Sequence, residues 1–163
     1  SSTALEELAR LNSCNISRAR LGKTFITLDK LAGIYATEPS KVIDSDWGMW
    51  EDGMYAAIKL VNYMSVNEID IEEMIKSVPK RSYLQNNVVL EAFDADLLKE
   101  KALNTLEEPI EIQEIDGLRL IYPDSWILFR ASGTEPKCRI YVESNSEEQS
   151  IDLMKKAESV LLN

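Results

Sequence analysis

The chain has 163 residues, of which 45% are hydrophobic and 28% charged, a composition typical of a globular protein long enough to bury a core. Its formal net charge of -10 argues against a nucleic-acid partner, because an acidic surface repels the phosphate backbone. Histidine is absent, which excludes Ser-His triads and histidine metal sites within this chain.

The two cysteines, Cys14 and Cys138, have no metal-ligand spacing. We therefore expect two reduced thiols and a cytoplasmic location. No apolar run approaches the roughly 20 residues of a membrane-spanning helix, so we expect no membrane partner. The chain begins with Ser1, and we expect it to be a fragment or a processed product.

The first half of the chain alternates between helical and extended patterns. Helices are predicted from a cap at Thr3, over 24–31, from 52 to 64 and from 70 to 77, and short strands over 15–20 and 34–36. Residues 37–50 are predicted to be irregular, with Pro39, Asp44 and Gly48 as turn residues. This alternation predicts part of an α/β layered domain over residues 1–80.

The pattern changes near residues 79–83. Strands are predicted over 83–92, 110–115, 118–122, 126–130 and 139–143, and helices over 94–106 and after a cap at Ser146. Asp116-Gly117 is a strong hairpin signal between two of the strands. Residues 81–163 are thus predicted to form an α+β domain with an antiparallel sheet and helices packed on one face.

The strongest local motif is RASGTEP at residues 130–136, between two predicted strands. Ser132 and Thr134 bring hydroxyl groups, and Gly133 lets its backbone amide approach a ligand closely. Successive amides in such a turn can form an anion-binding nest, and Arg130 can donate two hydrogen bonds to a phosphate, with Arg139 adding positive potential. The same composition also fits an ordinary polar hairpin loop, and the residues alone leave both readings open.

The motif RASGTEP, preceded by Asp116-Gly117-Leu118-Arg119 and Trp126, resembles the C-terminal signature of the α-D-phosphohexomutases. This family includes phosphoglucomutases, phosphomannomutases and phosphoglucosamine mutases. The resemblance implies that the loop holds the phosphate of a sugar phosphate. The implied phosphate-binding residues are Arg130, Ser132, Gly133, Thr134 and Arg139, and Glu135 and Pro136 are implied to shape the loop.

The resemblance continues upstream, where residues 1–80 are similar to most of the family's third domain and 81–163 to its fourth. It implies sugar contacts by Glu38 and Ser40, and it makes Lys23 a possible active-site residue. The flanking residues Thr37, Lys41 and Val42 depart from the family pattern, so the resemblance does not say which hexose is used.

A phosphohexomutase interconverts hexose 1-phosphate and hexose 6-phosphate through a phosphoserine. The resemblance implies that this serine and the Mg²⁺ ligands lie in the remaining N-terminal domains, because no D-x-D-x-D motif occurs here. The expected partners are a phosphosugar substrate and those domains, and we expect the chain alone to be inactive. The alternative is a non-catalytic sugar-phosphate-binding module that has diverged from the family.

Overall fold

The computed structural model describes residues 2–38, 41–90 and 93–162. The chain divides into two compact units, Ser1–Pro79 and Lys80–Asn163, called here the first and the second unit.

The first unit contains helices and a small antiparallel sheet with the strand order β1-β2-β3. Its elements are α1 (Thr3–Leu11), α2 (Thr24–Lys30), β1 (Tyr35–Glu38), β2 (Lys41–Asp44), β3 (Gly48–Glu51), α3 (Gly53–Asn67) and α4 (Ile71–Ser77). The predicted caps of the last two helices are present: Asp52 accepts a hydrogen bond from the Tyr55 amide, and Asp70 forms a capping box with Glu73. The cap of α1 is Ser2 rather than the predicted Thr3, since the Ser2 side chain accepts from the Ala4 amide.

Two predictions for the first unit are wrong. Residues 15–20 form no strand, although Arg18 is fixed by an ion pair with Glu6 at 2.7 Å. The segment 37–50, predicted to be irregular, contributes to all three strands of the sheet. Of its predicted turn residues, Asp44 ends β2, Gly48 begins β3, and Pro39 lies outside the described residues. The Asp44 carboxylate accepts from the Asp46 amide in the turn between β2 and β3.

The second unit is built on a five-stranded antiparallel sheet with the strand order β4-β8-β7-β6-β5. Its elements are β4 (Ser82–Val89), α5 (Ala95–Thr105), β5 (Glu111–Gln113), β6 (Leu118–Tyr122), β7 (Ser125–Ala131), β8 (Lys137–Ser144) and α6 (Glu147–Leu162). The predicted end of the first of these strands, at residues 91 and 92, lies outside the described residues.

One face of this sheet carries the core. Side chains alternate along each strand, so Phe129 of β7 and Ile140 of β8 point to the same face and are directly opposite each other. Both are fully buried, together with Ala157 of α6 and Ala102 of α5. Helix α6 packs on β4, β8 and β7, and α5 packs on α6. The predicted fold class, an α/β unit followed by an α+β unit with helices on one face of an antiparallel sheet, is confirmed.

The opposite face of the sheet carries a polar and aromatic cluster. Trp126 of β7 is 3% exposed and donates its indole N–H to Glu143 of β8 at 3.0 Å. The Arg119 guanidinium of β6 lies over the same indole ring, 4.6 Å from its centroid. These contacts join the middle strands on the face that, further along β7 and β8, presents Arg130 and Arg139.

Candidate functional site

The loop at residues 132–136 joins β7 to β8 and is held by backbone hydrogen bonds. The Ser132 amide donates to the Lys137 carbonyl at 2.9 Å, and the Lys137 amide donates to the Glu135 carbonyl at 2.8 Å. From the neighbouring strand, the Leu90 amide donates to the Pro136 carbonyl at 3.0 Å. Backbone hydrogen bonds to β8 and to the residue that follows β4 therefore fix the conformation of the loop at both of its ends.

Two arginines flank this loop. Arg130 and Arg139 are directly opposite in the antiparallel register, so their side chains leave the same face with Cβ atoms about 5 Å apart. Like charges so close repel, and each arginine has a carboxylate nearby. Arg130 Nε lies 2.9 Å from Asp116 Oδ2, and Arg139 Nη2 lies 4.0 Å from Glu135 Oε2.

Glu135 of the loop pairs mainly with Lys137, whose Nζ lies 2.6 Å from its Oε2. The hydrogen bond from Lys137 holds the pKa of the Glu135 carboxyl below its ordinary value, and its charge acts in the same direction. Glu135 is thus ionised at neutral pH and offsets part of the positive charge of the loop. This ion pair joins the end of the loop to the first residue of β8, and the loop-shaping role that the family resemblance implies for Glu135 stays a prediction.

The backbone amides of the loop only partly form the predicted nest. The Ser132 amide is used by the Lys137 carbonyl, so it cannot also point at an anion. The Thr134 amide makes a long contact of 3.5 Å with the Ser132 hydroxyl. The Gly133 amide donates to none of the described residues, and a Cβ at Gly133 would meet no atom within 4 Å. The Gly133 amide, the Ser132 and Thr134 hydroxyls and the two guanidinium groups remain as candidate donors at the loop.

In the first unit, Glu38 lies at the end of β1 and is bound to the loop before α2. Its Oε1 accepts from the Thr24 hydroxyl at 2.5 Å and from the Gly22 amide at 3.0 Å. Lys23, between these two residues, has an exposed side chain that pairs with no described residue. Glu38, predicted to contact the sugar, and Lys23, the possible active-site residue, thus belong to one local arrangement. Ser40, the other predicted sugar contact, lies outside the described residues.

Asp116 lies at the loop but is not among the phosphate-site residues predicted from the sequence. It is predicted there as half of a hairpin signal and as part of the family signature, yet its carboxylate contacts Arg130. The signal that could have found it is the spacing of the motif, because a hairpin between β5 and β6 brings its turn to the end of β7, where Arg130 lies.

The first unit also has an aromatic groove that the sequence did not predict. The groove has a volume of about 600 Å³, and Trp47, Trp50 and Tyr55 line it. Lys59, which also lines the groove, forms an ion pair with the buried carboxylate of Asp44. The same carboxylate accepts a hydrogen bond from the Tyr35 hydroxyl at 2.9 Å. The lysine and its hydrogen bond lower the pKa of Asp44, so this pair stays charged at neutral pH.

Within residues 2–38, 41–90 and 93–162, no three acidic or thiol side chains come together in a way that could hold a metal ion. The described residues therefore offer no three-ligand cluster for the Mg²⁺ that the family resemblance implies. None of the described helices has the length and apolar character needed to cross a bilayer.

Comparison with known proteins places these features in a family. Residues 79–158 match the family model described as "Phosphoglucomutase/phosphomannomutase, C-terminal domain". The chain is 35% identical over 168 residues to a "Probable phosphoglucosamine mutase" of Pyrococcus horikoshii, covering 97% of this chain and 36% of that protein. It is 28% identical over 152 residues to a "Phosphoglucomutase/phosphomannomutase" of Thermococcus kodakarensis, covering 91% of this chain and 33% of that protein.

Among solved structures, one described as a putative phosphomannomutase from Thermus thermophilus has the same fold, with a TM-score of 0.72 at 20% identity. The match covers 99% of this chain and 35% of that one. The chain spans about a third of the length of the relatives it matches. The matched segment contains the RASGTEP loop and its arginines, and this chain belongs to the phosphoglucomutase/phosphomannomutase family.

Proposed function

We propose that this chain is the substrate-positioning part of a phosphohexomutase, and that the loop after β7 binds the phosphate group of a hexose phosphate. The observation that carries the proposal is the pair of arginines, Arg130 and Arg139, side by side at the strand ends that flank the loop. In a chain of net charge -10, such a pair is a local concentration of positive charge.

The ion pair between Arg130 and Asp116 is compatible with a phosphate ligand. A guanidinium has five N–H donors, and one carboxylate does not use all of them. Arg130 is 24% exposed, so part of its guanidinium is accessible to a ligand. Arg130 and Arg139, the hydroxyls of Ser132 and Thr134 and the Gly133 amide would then share the oxygens of one phosphate.

In the same proposal, the first unit is most of the family's third domain and the second unit is the fourth. Glu38 would accept hydrogen bonds from sugar hydroxyls, because its carboxylate is already oriented by Thr24 and Gly22. Lys23, exposed beside it, would add a cation on the same side of the sugar. The phosphoserine and the Mg²⁺ ligands would come from other domains of the same protein, and this chain alone would bind the substrate without turning it over.

The binding role is tested by titrating the chain with glucose 6-phosphate and following the backbone amides by NMR. Arg130→Ala should raise the Kd about tenfold to a hundredfold, which corresponds to losing a hydrogen bond to a charged group of about 1.5–3 kcal/mol. Lys155→Ala is the matched control, because it removes one positive charge from the exposed face of α6. Equal affinities for wild type and Arg130→Ala would contradict the phosphate site.

The sugar role is tested in the same titrations with inorganic phosphate as a second ligand. Glu38→Ala should weaken binding of glucose 6-phosphate but leave binding of inorganic phosphate unchanged, because Glu38 is proposed to contact only sugar hydroxyls. A parallel loss for both ligands would remove Glu38 from the sugar site.

The alternative, a sugar-phosphate-binding module without catalysis, has one feature in its favour. Thr37, Lys41 and Val42 depart from the family's sugar-loop pattern, and Thr37 instead donates its hydroxyl to the Lys41 carbonyl at 3.0 Å. A mutase assay of the full-length protein with glucose, mannose and glucosamine phosphates separates the two. Turnover of any of these identifies the enzyme, whereas binding without turnover identifies the module.

A further inference from the structure

The turn between β5 and β6 lies directly on the backbone of β7. Gly117 has a φ of +108°, and a Cβ built on it would lie 2.3 Å from the Phe129 carbonyl oxygen and 3.1 Å from the Arg130 Cα. Only glycine fits a backbone conformation and a contact of this kind. The turn therefore has a fixed place beside Arg130, and so does Asp116, the residue before Gly117.

The Asp116 carboxylate contacts the Nε side of the Arg130 guanidinium. The contact joins Asp116 Oδ2 to Arg130 Nε at 2.9 Å, and the side chains are 22% and 24% exposed. A half-buried ion pair with this geometry orients the planar guanidinium, which otherwise has much rotamer freedom. It also offsets the repulsion from Arg139, directly opposite on β8.

We infer that Asp116 is a positioning residue, which binds the Nε edge of Arg130 so that the other guanidinium donors stay beside the loop at residues 132–136. The inference rests on the proposed phosphate site. A side chain that is already ordered does not have to be immobilised when the ligand binds, so the entropic cost of binding is smaller. Asp116 thereby increases the affinity for an anion although it is itself an anion.

The direction of the change in affinity distinguishes a positioning role of Asp116 from a purely electrostatic one. If Asp116 acted only through its charge, removing it would strengthen the binding of a phosphate, because a negative charge near the site would be lost. If Asp116 positions Arg130, removing it weakens binding. The two roles thus predict opposite changes in Kd for Asp116→Ala.

The test is a double-mutant cycle between Asp116 and Arg130, measured on this chain by titration with glucose 6-phosphate. Asp116→Ala should raise the Kd about threefold to tenfold, the change expected for a newly mobile arginine. Asp116→Asn should bind at least as tightly as the wild type, because its amide oxygen can accept a hydrogen bond from Nε and its charge is gone. In the Arg130→Ala background, Asp116→Ala should change the Kd by less than about twofold, since there is no guanidinium left to position.

A second readout does not depend on the ligand. The Arg130 Nε–H resonance should be sharp and protected from exchange in the wild type and in Asp116→Asn, and broadened in Asp116→Ala. If Asp116→Ala does not fold, Asp116→Asn with an unprotected Arg130 resonance would still overturn the inference, and a protected one would support it.

The possible failures can be told apart. If Arg130→Ala weakens binding but Asp116→Ala does not, the phosphate site stands and the positioning role is wrong. An equal loss for Asp116→Ala with and without Arg130 would also overturn it. If Arg130→Ala itself has no effect, the proposed phosphate site fails and the positioning role fails with it.

Discussion

The two units bury their apolar residues very differently. In the second unit, Ile127, Phe129, Ile140 and Val142 are fully buried between the sheet and its helices. In the first unit, α3 and α4 lie wholly within the described residues and contain no buried residue. Even the apolar side chains of Met54 and Val66 on α3 are 78% and 72% exposed. The second unit thus encloses a core of its own, while α3 and α4 present apolar surface of a kind that usually marks contacts with other polypeptide.

The two candidate sites are therefore held in place in different ways. The loop at residues 132–136 is attached to strands that a closed core holds in register. Glu38 is attached to a three-stranded sheet and is fixed by two hydrogen bonds from the loop before α2. We therefore expect substitutions of apolar side chains to lower the stability of the second unit strongly. Matched substitutions on α3 of the first unit should lower stability only weakly.

Each unit contains one cysteine, so thiol reactivity can be compared between them, and we expect the largest contrast there. Cys14 is exposed, whereas Cys138 is fully buried, and burial raises the pKa of its thiol from 9.0 to about 11. The reactive species is the thiolate, so two pKa units alone slow Cys138 about a hundredfold. Labelling of the native chain with a disulfide reagent at pH 8 should modify Cys14 rapidly and Cys138 only on the time scale of unfolding.

A Cys14→Ser variant isolates the signal of Cys138, and labelling in denaturant provides the reference for an unprotected thiol. Similar native rates for the two cysteines would mean that the core of the second unit opens readily, which would remove the contrast between the units.

The next contrast concerns truncation of apolar side chains. Phe129→Ala should lower the free energy of unfolding by about 3–5 kcal/mol, because it leaves a cavity in a closed core. Met54→Ala on α3 should change it by less than about 0.5 kcal/mol, since the side chain is 78% exposed. Urea denaturation followed by circular dichroism measures both. A loss for Met54→Ala as large as for Phe129→Ala would show that the surface of α3 is covered in solution.

The smallest contrast separates two glycines that both have positive φ. Gly22 of the first unit has a φ of +74° with open space around it, so Gly22→Ala should cost about 1–2 kcal/mol for the backbone conformation alone. Gly117→Ala carries a similar penalty plus the clash with the Phe129 carbonyl, which adds about 1–3 kcal/mol. Thermal unfolding of both variants measures the difference, and equal shifts in Tm would mean that the turn can move away from β7.

Local sequence signals predicted several regular elements of both units well. The strand predicted over residues 118–122 has the bounds of β6 in the second unit, and the predicted caps Asp52 and Asp70 start α3 and α4 in the first unit. These signals are reliable because caps and alternation depend on residues within a few positions of one another. The small sheet of the first unit was missed because Asp44 and Gly48, which are turn residues by type, lie within or at the ends of its strands.

The candidate phosphate site likewise contains features that local sequence predicts and contacts that it does not. The loop, its hydroxyls, its glycine and the arginine at the end of β7 can be identified from the sequence alone, because they are adjacent in the chain. Folding adds three contacts to these residues: Arg139 lies opposite Arg130, Asp116 contacts the Arg130 guanidinium, and the Ser132 amide donates to the Lys137 carbonyl. Strand register and the packing of a distant turn set these contacts, and both depend on long-range pairing that no local pattern encodes.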